Sequence, residues 1–72
     1  MERVVFDYSK LNGRIREKFG TQKKFAESMG ISSTTMSKKL TNKIDFGQAE
    51  INRAVRILDI DPGDISLYFF AR

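Results

Sequence analysis

Twenty-two consecutive residues, Gln22 to Lys43 (QKKFAESMGISSTTMSKKLTNK), constrain this chain more than any other segment. Thr21 caps a short helix whose inner side carries Phe25, Ala26 and Met29, and Gly30 supplies the left-handed residue that ends it. Ile31 plugs the corner and Ser32 caps a second helix. At 100° per residue, Met36 and Leu40 lie together on the buried side of that helix. Thr34, Lys38 and Thr41 lie opposite, flanked by Ser33 and Ser37. Two short helices folded about a tight turn make a helix-turn-helix, a shape whose usual use is to lay its second helix in the DNA major groove.

The flanking sequence supplies more helices. Ser9 reads as an N-cap, followed by Leu11, Ile15 and Phe19 at i+4 spacing with Tyr8 on the same side. Gly20 stops that helix, predicting a span of Ser9 to Phe19 with Arg14, Arg16 and Lys18 on its exposed flanks. Asp45 and Gln48 have the spacing of a capping box, opening a helix from about Phe46 to Leu58 with Ile51, Ala54, Val55 and Leu58 inward. Asp61-Pro62-Gly63-Asp64 begins a fifth, short helix: Asp61 caps it and Pro62 takes its first position. Ile65, Tyr68 and Phe69 fold it back on the core. Val4-Val5-Phe6 is open to three readings: an extended arm, a core lid or a dimer contact. The prediction is one all-α domain of five helices over residues 1–72, with a short arm at 1–7 and the motif at about 21–43.

Composition narrows the function. Seventy-two residues, six of them Phe and two Tyr, make one small core. The absence of both Cys and His rules out disulfides, thiol nucleophiles, Ser-His pairs and the usual zinc sites. No phosphate-binding glycine loop is present, so the chain is expected not to be an enzyme and to need no cofactor. No run reaches the length of a membrane span, and a cytoplasmic location with no membrane partner is expected. Net charge is +4, divided as +6 over residues 1–43 and −2 over 44–72. A basic half joined to an acidic half suggests one face for a polyanion and another for something else.

Gln22, Phe25-Ala26, Gly30-Ile31-Ser32 and Met36-Ser37 stand at the spacing Q-x-x-[LF]-A-x-x-x-G-[IV]-S-x-x-x-[hydrophobic]-S. In this the chain resembles the lambda-repressor-like helix-turn-helix family, which includes the phage CI and Cro repressors. The FDYSKL opening, KFGTQKKFAESMG, the KLTNK close and the aromatic YFF end are similar to a narrower group, single-domain regulators from temperate phages of Gram-positive bacteria. The resemblance covers about Tyr8 to Phe70. It departs from the family where Leu40-Thr41-Asn42-Lys43 replaces a Glu-Asn-Gly turn, with Asn42 able to take the left-handed role.

The resemblance implies that Gln22 meets a phosphate and braces the second helix of the motif. It places Ser33, Thr34, Ser37 and Lys38 against base edges or phosphates, with Lys23, Asn42 and Lys43 as further backbone contacts. The residue types temper specificity: strong discrimination usually comes from bidentate Arg, Asn or Gln, and this exposed face has none. Weakly selective binding to double-stranded DNA is expected. The resemblance also implies a role in a lysis–lysogeny switch, of the Cro or antirepressor type, through complex formation with a CI-type repressor. The alternative is an antirepressor that works by protein binding alone. Glu50, Asp59 and Phe70 are the candidate partner contacts, since Asp45, Asp61 and Asp64 are already assigned to helix starts; a homodimer is also possible for paired operators.

Overall fold

The computed structural model describes residues 4–72, so residues 1–3 of the expected arm lie outside it. Five α-helices follow in order: α1 (Ser9–Phe19), α2 (Gln22–Met29), α3 (Ser33–Leu40), α4 (Gln48–Ile57) and α5 (Ile65–Phe69), the last preceded by a 3-10 turn at Pro62–Asp64. The predicted all-α class and helix number hold. Among the described residues no helix is long and apolar enough to cross a membrane.

The apolar stripes converge on one core. Leu11 and Ile15 of α1, Phe25, Ala26 and Met29 of α2, Met36 of α3, Ala54 of α4, Leu58 and Phe69 are all buried. Removing each large side chain from water stabilises the fold by about 1.5–3 kcal/mol, set against chain entropy of similar total size. Ile60, which no stripe assigned to the core, is buried too; Phe19, Val55 and Tyr68 are only half-buried.

Several helix starts behave as the sequence implied. Thr21 Oγ1 accepts from the Lys24 N–H at 3.2 Å, and Ser32 Oγ accepts from the Thr35 N–H at 3.1 Å. Asp61 Oδ1 accepts from the Gly63 N–H at 2.8 Å with Pro62 following it. Gly30 ends α2 with φ of 70°, a left-handed conformation that glycine takes with no Cβ penalty.

Two starts differ. Tyr8, not Ser9, occupies the cap position of α1, and the capping carboxylate is that of Asp7. It accepts from both the N–H of Ser9 (2.9 Å) and its hydroxyl (2.5 Å). The Asp45–Gln48 box does not form; two residues later Glu50 Oε1 accepts from the Gly47 N–H at 2.8 Å, which is only half of a box because the cap, Gly47, has no side chain. The cause is Phe46. Its ring is held edge-on between Tyr8 (5.5 Å, 82°) and Phe69 (5.3 Å, 85°), so residues 45–47 stay outside the helix and α4 begins only at Gln48.

Candidate nucleic-acid and partner surfaces

α2, the Gly30 turn and α3 present one polar surface. Gln22, Lys23, Ser33, Thr34, Ser37 and Lys38 are all exposed, as is Lys43 in the loop beyond α3. Gln22 leans toward α1 rather than bracing α3: its Nε2 is 3.5 Å from Asn12 Oδ1, a weak contact. Asn42 takes the left-handed conformation with φ of 66°. Its side-chain amide turns inward, accepting from the Phe6 N–H and donating to the Phe6 carbonyl, both at 2.9 Å. The loop therefore offers the Lys43 side chain outward, while the loop N–H groups bond back to the Lys38 and Lys39 carbonyls and the Asn42 side chain holds the arm.

Helix α3 is anchored from beneath by a residue that the sequence reading passed over. Lys39 is 7% exposed. Its Nζ donates to Glu50 Oε1 at 2.7 Å and to the Asp45 carbonyl at 2.9 Å, and lies 5.6 Å from the centre of the Phe46 ring. Burial pushes the Glu50 carboxyl up, but the hydrogen bonds from Lys39 and Gly47 and the charges of Lys39 and Arg53 outweigh it, leaving it below its ordinary value. A signal did exist: Lys39 is three residues from Met36 and so close to the buried side of the wheel.

Glu50 therefore has two structural duties, although the sequence left it free for a partner. Asp59 has one as well: its carboxylate pairs with Lys18 Nζ at 2.9 Å, and that hydrogen bond holds it below the usual carboxylate range. Both remain partly open to water, at 28% and 72% of their side chains. Phe70 is half exposed.

A second surface is apolar. Val4, Phe6, Tyr8, Phe46, Ile51, Phe69 and Phe70 line a groove of about 470 Å³ between the arm, α4 and α5, and Asp45 stands at its edge. Phe6 joins the aromatic stack, 6.1 Å from Tyr8 and edge-on to Phe70 at 5.8 Å. Burial, and secondarily the Asp45 charge, raise the Tyr8 hydroxyl above its ordinary value. Val4 (47% exposed), Val5 (63%) and Phe70 (50%) leave an apolar margin in water. The sequence signalled this only through Val4-Val5-Phe6 and the YFF end, segments distant along the chain that the fold brings together.

Taken together, these features define a small five-helix domain with a helix-turn-helix corner and an aromatic groove. By a family-model match over residues 4–72, the chain belongs to the family described as "Protein of unknown function (DUF739)". Among solved structures it is similar to the modulator of repression (MOR) of the temperate bacteriophage TP901-1 from Lactococcus lactis. Identity is 49%, over 90% of this chain and 88% of that one, with a TM-score of 0.81. No curated protein sequence matches the chain.

Proposed function

We propose that this chain is a non-catalytic regulator of the lysis–lysogeny decision of a temperate phage, acting by complex formation with a CI-type repressor. The α2–α3 surface adds a weakly selective hold on DNA. The observation that carries the reading is the pairing of two unlike surfaces on one small domain: an exposed, lysine- and hydroxyl-bearing helix and an aromatic groove open to water. The modulator of repression at 49% identity supports the regulatory setting.

On the DNA side, Gln22, Lys23, Lys38 and Lys43 supply phosphate contacts, while Ser33, Thr34 and Ser37 offer hydroxyls that suit several bases. Affinity from such a surface is mostly electrostatic. On the protein side, the groove would receive an apolar side chain, and the nearby carboxylate of Asp45 favours a basic surround. The DNA-binding face of a repressor is basic by necessity, so capture there would compete with its operator.

Repeated selection from a random duplex pool, at physiological salt and with and without a CI-type repressor, tests this. Little enrichment by the chain alone, together with a stable complex with the repressor, is the expected result. Tight, salt-resistant selection of a two-fold-symmetric site by the chain alone would instead make it a Cro-like repressor. The lack of a bidentate base reader on α3 favours a second reading, an antirepressor that never contacts the operator; loss of all duplex binding at physiological salt would select it.

A further inference from the structure

The two aromatic walls of the groove are both fastened to α3. Phe6 is held through its N–H and its carbonyl by the side chain of Asn42, just beyond the end of α3. Phe46 lies under the Lys39 ammonium, which is also bonded to the carbonyl of Asp45 and the carboxylate of Glu50. Neither fastening yields easily. A buried ammonium that lost its acceptors would stand unpaired in a poorly hydrated site, and an amide bonded to both the N–H and the carbonyl of one residue loses both bonds if it turns over.

The same turn carries the polyanion-facing groups. Lys38 projects to solvent, while its carbonyl accepts from the N–H groups of Lys43 (2.8 Å) and Ile44 (3.3 Å). The Thr41 N–H bonds the Ser37 carbonyl at 3.0 Å. Lys38 and Lys43 therefore share one short stretch of backbone with Lys39 and Asn42.

We propose that the groove and the last turn of α3 form one coupled unit. An apolar side chain that displaces Phe6 or Phe46 pulls on Asn42 or Lys39, and so changes where Lys38 and Lys43 stand. A groove occupant and a nucleic acid on α3 then alter each other's affinity by the same factor, as linkage requires. This regulatory consequence rests on the groove being a partner site, whereas the coupling belongs to the chain itself and is measured with no partner present.

Amide hydrogen exchange on the whole chain tests it. Phe70 meets Phe6 edge-on but lies outside both fastenings to α3, so Phe70→Ala and the milder Phe70→Leu disturb the groove remotely. Exchange at Thr41, Lys43 and Ile44 should rise at least about threefold, the lower range for coupled neighbours, with Leu58 unchanged as the α4 reference. In an Asn42→Ala background the same Phe70 changes should add nothing there. No rise at these amides, or a uniform rise that includes Leu58, would overturn the coupling, and a rise undiminished by Asn42→Ala would overturn its route through Phe6. Failure to capture a repressor would leave this result untouched, so the two proposals fail separately.

Discussion

Lys39 of α3 and Glu50 at the start of α4 are joined at 2.7 Å, with the lysine side chain only 8% exposed. The same carboxylate holds the Gly47 N–H, so one acid both starts α4 and neutralises the charge beneath α3. Glu50→Gln keeps the shape but leaves a buried ammonium without its counter-charge. Breaking such a pair costs about 3–5 kcal/mol in a dry site; Glu50 is 28% exposed, so about 2 kcal/mol is expected. Urea unfolding measures it, and a loss below about 0.5 kcal/mol, the range of ordinary surface changes, would remove Glu50 from the stabilising set.

The same acid sets a pH dependence. Its folded-state carboxyl lies below the reference value of 4.5, so the unfolded chain binds a proton more readily. The stability it contributes is present above the unfolded value and is lost as pH falls through the folded one. Thermal unfolding should show falling stability below about pH 4.5, and Glu50→Gln should flatten that fall. An unchanged acid limb in the variant would place the dependence elsewhere, with Asp7 and Asp59 next in line, both held low by hydrogen bonds.

Gly30 is a purely conformational position. A methyl group built there meets nothing within 4 Å, yet φ is +70°. Gly30→Ala should therefore cost about 1–2 kcal/mol from backbone strain alone. Gly30→Asn should cost less than Ala, because Asn tolerates the left-handed region. Equal loss in both would point to a steric cause that the open space around Gly30 does not provide.

The fold was legible where residues act locally. Gly30, Thr21, Ser32 and Asp61 do their work within three residues, and the i+4 stripes need only the helix period. What stayed hidden depends on distant partners. Ser9 looked like a cap until Asp7 took its N–H, and Asp45 looked like one until Phe46 was drawn between Tyr8 and Phe69. Glu50 looked idle because its lysine lies eleven residues away, and Asn42 looked outward-facing because Phe6 is thirty-six away. For the same reason, the exposed α3 face could be read from the wheel, while the groove could not, since it joins residues 4–8 to 69–70.

Lys38 and Thr34 separate two kinds of DNA contact. Lys38→Ala should weaken every duplex similarly and reduce the slope of log affinity against log salt by about one, as removal of a phosphate contact does. Thr34→Ala should leave that slope unchanged and alter only the small preference among sequences. Fluorescence anisotropy over a salt series reads both. A Lys38 variant that loses one sequence selectively, with its slope intact, would make Lys38 a base reader.

Groove variants should divide repressor capture from DNA holding. Phe70 is 50% exposed, so Phe70→Ala removes contact area while disturbing little of the buried core. If its ring anchors the repressor, complex affinity should fall at least about tenfold, the loss of a modest interface hot spot. Stability should fall by about 0.75–1.5 kcal/mol, because only half of a Phe transfer is forfeited. Duplex binding should drop less than in Lys38→Ala, since Phe70 reaches the last turn of α3 only through Phe6 and Asn42. Calorimetric titration with a CI-type repressor gives the first value and anisotropy the last. Full-strength capture by Phe70→Ala would move the repressor contact out of the groove, leaving the α3 face and its lysines as the surface to test.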